Sequence, residues 1–140
     1  MQFTDPWNPT EDELRQWAYT NDASYPAEDW ELVLTDTPEF QEAVLEFASD
    51  DHCPQKRYFL AVLYLIVGEE VRRQIQAGAT SRNTIDLSPG QTLTRLINKG
   101  DRYPSPSIQQ WQERTRSLAA DLSSFDYDEW CKAGYDNEDQ

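Results

Sequence analysis

His52 and Cys53 stand side by side, and a thiol next to an imidazole is a pairing used in nucleophilic catalysis. The base must turn a ring nitrogen onto the sulfur, whereas adjacent side chains on an extended backbone point apart. The chain holds no second His. Pro54 follows at once, where a helix is expected to begin. Asp50, Asp51 and His52 therefore read as loop and capping residues, and no catalytic residue is assigned.

Carboxylates are the more plentiful reagent. They occur as adjacent pairs at Asp12-Glu13, Glu28-Asp29, Asp50-Asp51, Glu69-Glu70 and Asp128-Glu129. Glu39, Glu42 and Glu46 follow i, i+3 and i, i+4 spacing, which lines side chains along one helix face. In helical metalloenzymes such carboxylates hold a divalent ion together with a His three residues on. No His follows here, and no calcium loop of the Asp-x-Asp-x-Asp-Gly kind occurs. Two Cys and one His are too few for a structural zinc site without carboxylate help. No metal and no cofactor are expected. Glu39, Glu42 and Glu46, with Glu11, Glu28 and Asp29, instead form a candidate surface for docking a basic protein.

Lys56 and Arg57 break a local rule, because they fall in the first turn of an expected helix, where the macrodipole disfavours cations. Two explanations fit. The pair is neutralised by acids such as Asp50 and Asp51, or it binds an anion.

The charge is divided unevenly. Residues 1–52 carry a net −13, residues 53–116 carry +5 and residues 117–140 carry −6, for a formal −14. A field of that sign repels nucleic acid and anionic membrane and attracts cationic partners. The expected partner is a basic protein, with neither direct nucleic-acid binding nor membrane binding. The function expected on this basis is that of a small immunity-type or inhibitory protein, neutralising a basic toxin or nucleic-acid-binding effector through its acidic face. The competing readings are a nucleic-acid mimic, whose carboxylates imitate phosphates, and a metal-dependent hydrolase built on helix carboxylates. No motif names a reaction.

These residues must be positioned by helices. The 140 residues fit one domain, drawn here over 1–135, with an acidic tail of 136–140 expected to fray. An apolar fraction of 38% is low, but five Trp, seven Tyr and five Phe supply large buried surfaces. The N-terminus lacks the basic and apolar regions of a signal peptide, and the longest apolar run falls short of a membrane span, so a cytoplasmic location is expected.

Proline supplies the grammar, since it suits the first helical position. Asn8-Pro9, Thr37-Pro38, Pro54, Ser88-Pro89 and Ser105-Pro106 each predict a helix start, and Asp126 predicts another through capping. Gly78, Gly100 and Gly134 are expected stops. Residues 26–36 fit a strand or a helix, and the lack of a partner strand selects helix. The predicted fold is all-α, a single compact domain of five or six helices packed around a central buried helix at about 54–77. Cys53 and Cys131 are expected as buried free thiols.

Overall fold

Tyr58 to Val67 is apolar on every side, and such a helix is stable only when enclosed on every side. The computed structural model, which describes residues 3–21, 26, 30–78, 91–123 and 125–135, places this run in the middle of the fold. Among the described residues the secondary structure is entirely helical. In chain order come α1 (Glu11–Ala18), α2 (Glu31–Thr35), a 3-10 turn (Pro38–Phe40), α3 (Gln41–Ser49), α4 (Lys56–Gln76), α5 (Thr92–Lys99), a second 3-10 turn (Gly100–Arg102), α6 (Pro106–Ala120) and α7 (Tyr127–Tyr135). These are seven α-helices where five or six were expected, the short α2 standing as an element of its own ahead of the helix that Thr37-Pro38 predicts. The helical reading of residues 26–36 holds over Glu31–Thr35.

The long helix α4 is the spine, touching α2, α3, α6 and α7. Phe59, Leu63, Tyr64, Val67 and Val71 are wholly buried along it. α1 reaches the spine through an aromatic cluster. Trp17 meets Trp30 edge-on at 5.1 Å between ring centres, Tyr58 at 5.2 Å and Phe59 at 5.8 Å. The Trp30 indole N–H donates to the Pro6 carbonyl at 2.7 Å, which fixes the N-terminal segment over the cluster. Pairs of this kind contribute about 0.5–1.5 kcal/mol each beyond their buried area.

Several boundaries differ from the sequence reading, each for a local reason. Thr10, not Asn8, caps α1. Its hydroxyl accepts from the Glu13 amide while the Glu13 carboxylate accepts from the Thr10 amide, a reciprocal box that moves Pro9 outside the helix. α4 begins at Lys56, two residues after Pro54. Gly100 continues helically into the 3-10 turn instead of stopping the chain. A Cβ there would lie 2.6 Å from Gln112 Nε2 and 3.1 Å from Ile108 Cγ2, so a side chain at this position would displace the Gln112 amide from its bond to the Ile97 carbonyl. The backbone of α7 runs through Gly134 to Tyr135. Gly78 does close α4, at φ +72°. Ser105 caps α6 with Pro106 in its first turn, as expected. The start predicted at Ser88-Pro89 lies outside the described residues, as does the tail 136–140.

Gly68 lets α7 settle on the spine. A Cβ at that position would meet Cys131 Sγ and Trp130 Cδ1, each at 3.2 Å. Both cysteines are free. Cys53 is buried and Cys131 half-buried.

Candidate functional site

The acidic stripe begins in the turn before α3 and continues along that helix. Glu39 is exposed, and among the described residues no cation stands within 4.0 Å of it. Glu42 accepts a hydrogen bond from the Tyr103 hydroxyl at 2.7 Å and faces Arg102 at 3.6 Å and Lys99 at 3.9 Å. That hydroxyl, followed by the two cations, holds the Glu42 carboxyl below the usual carboxylate range. Glu46 is gripped by both guanidinium nitrogens of Arg15, at 2.6 and 3.2 Å, and Arg15 also reaches Glu11 at 3.5 Å. The same guanidinium lies 5.2 Å above the centre of the Phe47 ring. The structure thus brings Glu11, Glu42 and Glu46 into ion pairs with their own chain and leaves Glu39 outside them. Glu28 and Asp29 lie outside the described residues.

Helical spacing made the stripe visible, but not its counter-ions. Tyr103 is 61 positions from Glu42, and Arg15 is 31 from Glu46. Only the basic character of residues 53–116 pointed to Lys99 and Arg102. Two further tyrosine–carboxylate bonds escaped the sequence reading. Tyr19 donates to Asp50 at 2.6 Å, and Tyr127 of α7 donates to Glu69 of α4. No local signal marks such pairs, because a Tyr hydroxyl adds nothing to helical periodicity.

At the start of α4, Lys56 Nζ binds Asp51 at 2.5 Å. The carboxylate offsets the cation's conflict with the helix dipole, so Lys56 already has its anion. Arg57 is exposed at the next position. Cys53 is not poised for attack. Its thiol donates to the Ala18 carbonyl at 3.2 Å, and burial pushes its pKa up to about 11. The His52 amide donates to Asp50 at 2.8 Å in a tight turn, while its side chain is exposed.

A cleft of about 530 Å³ opens beside the C-terminal half of α4, with Leu93 and Leu96 of α5 on its wall. Four of its charged lining residues pair with each other, Glu69 with Arg72 at 2.9 Å and Glu70 with Arg73, while Asp36 has no cation within 4.0 Å among the described residues. Among the described residues no three His, Cys, Asp or Glu side chains converge as a metal site would require. No described helix is long and apolar enough to cross a membrane. No family model, curated protein or solved structure matches this chain.

Proposed function

We propose that this chain is a small protein-binding module of the immunity or inhibitor type, neutralising a basic toxin or nucleic-acid-binding effector through its acidic surface. The observation that supports this reading is how internal pairing distributes the charge. Arg15, Lys56, Arg72, Arg73, Lys99 and Arg102 each face a carboxylate of their own chain. Exposed acids such as Asp12, Glu39, Asp128 and Glu129 have no cation within that reach among the described residues.

Among the described residues, ion pairs within the chain therefore offset much of its positive charge while many carboxylates stay unpaired, under a formal charge of −14. Such a surface raises the association rate of a cationic partner by about 10- to 1,000-fold, an advantage that salt removes. It also repels other copies of itself and destabilises the compact state, a cost that a partner's positive charge relieves.

The test starts with affinity capture on the immobilised chain at low salt and ends with a purified pair. The reading expects a 1:1 complex whose association rate falls steeply as salt rises. It fails if no protein binds stoichiometrically, or if the rate of the purified pair ignores salt. If the captured protein binds DNA or RNA and its nucleic acid competes for the same surface, mimicry becomes the better description.

A further inference from the structure

Two helix stripes face each other across a groove of about 790 Å³ between α6 and α7. On α6 the lining falls at 110, 113, 114, 117 and 118, one face of the helix, with Asp121 just beyond its C-terminal end. Half-buried Leu118, Phe125, Trp130 and Ala133 make its apolar floor. Exposed Glu113, Asp121, Asp126 and Glu129 stand around that floor, and Arg114 is the one cation among the described lining residues.

The floor is held from beneath. Trp130 sits 5.2 Å from the Tyr64 ring centre and donates its indole N–H to the Tyr64 carbonyl at 2.8 Å. Arg114 is turned toward the same residue, donating to the Tyr64 hydroxyl at 3.2 Å with its guanidinium 6.0 Å from the ring centre. The rim is therefore acidic around anchored apolar side chains.

We infer that this groove receives an amphipathic helix of the basic partner, with one apolar row on the floor and flanking Lys or Arg against the rim. The inference rests on the function proposed above and names the docking site within it. The α6 stripe, Gln110 to Leu118, is about 12 Å long at 1.5 Å per residue, room for partner anchors at i, i+4 and i+7. Charge selects the occupant. A second copy of this chain carries −14, and its own tail adds Asp136, Glu138 and Asp139, so both are repelled by the rim. A basic helix is attracted to that rim and covers the floor.

The probe is a labelled synthetic helix of about 14 residues with Leu along one face and Lys elsewhere, followed by anisotropy with the whole chain. Control peptides carry Ser for Leu or Glu for Lys. Glu113→Lys with Glu129→Lys should weaken binding of the Leu/Lys helix at least tenfold at about 50 mM salt and much less at about 500 mM. Ala133→Gln, which fills the floor, should also weaken it tenfold at temperatures well below the variant's own thermal midpoint. The Ser peptide should bind weakly and ignore Ala133→Gln. In NMR spectra the Trp130 indole resonance should move while those of Trp17, Trp30 and Trp111 stay.

Wild-type affinity in both groove variants overturns the inference. If Glu39→Lys abolishes binding in that case, the acidic-module reading survives with its site on the α3 side. If no reversal matters and salt has no effect, both readings fall.

Discussion

Glu46→Lys separates the two roles an acidic side chain can have here, holding the fold or meeting a partner. In the folded chain Glu46 clamps Arg15 with two hydrogen bonds, at 2.6 and 3.2 Å, and thereby ties α3 to α1. Both side chains are well solvated, 38% and 40% exposed, which screens the pair and keeps it within the roughly 0.2–1 kcal/mol of surface pairs, while its two-point geometry places it near the upper end. Reversal removes that attraction and sets Lys against Arg15, which adds a repulsion of similar size. The expected loss is about 1–2 kcal/mol at low salt, with about half of it for Glu46→Gln. For a chain of this length each kcal/mol moves the thermal midpoint by about 3–5 °C. Urea titrations followed by tryptophan fluorescence at low and high salt would measure it. An unchanged midpoint for Glu46→Lys at low salt would mean that Arg15 does not hold α1 on α3. Any association experiment with this variant must also be read below its lowered midpoint.

Leu63→Ala should cost about 2–5 kcal/mol, and Ile66→Ala should fall at the low end of that range because Ile66 borders the cleft; equal midpoints to wild type in denaturant would refute the buried spine. Gly68→Leu should destabilise, since overpacking of about 1–3 kcal/mol outweighs the roughly 0.8 kcal/mol of helix propensity recovered. A more stable variant would show that α7 does not press on α4. Burial and the Glu42 bond push the Tyr103 hydroxyl up to about 12 from an ordinary value near 10. A raised acid stabilises the fold fully below pH 10 and loses that contribution as pH climbs through about 12. Urea midpoints should therefore drop across that window, and Tyr103→Phe should reduce the drop; an identical drop in the variant would remove Tyr103 from the account.

The spine and the helix starts were legible because they rest on local rules. An all-apolar run demands enclosure, and Ser105-Pro106 has one natural reading. The failures occurred where two rules share one signature. Pro9 suits both the first helical position and the residue before a cap, and the Thr10–Glu13 box decided between them. Gly100 resembles a stop, yet its missing side chain serves Gln112 from another helix. The stripe Glu39, Glu42 and Glu46 was visible as a face, but what meets it depends on residues far along the chain. The α6–α7 groove was invisible for the same reason, although each of its stripes keeps helical spacing.

The position of the spine within the sequence also bears on synthesis. α1, α2 and α3 have 8, 5 and 9 residues, each shorter than the roughly 12–15 at which an isolated helix becomes even marginal in water. All three leave the ribosome before α4, so Trp17, Trp30 and Phe47 must wait without the surface that later buries them. Chains grow at about 5–20 residues per second, and apolar groups exposed for seconds invite aggregation. The net −13 over residues 1–52 falls on that waiting segment. Like charge on neighbouring nascent chains opposes their association through that segment, so its acidity works against aggregation in the interval before the spine emerges.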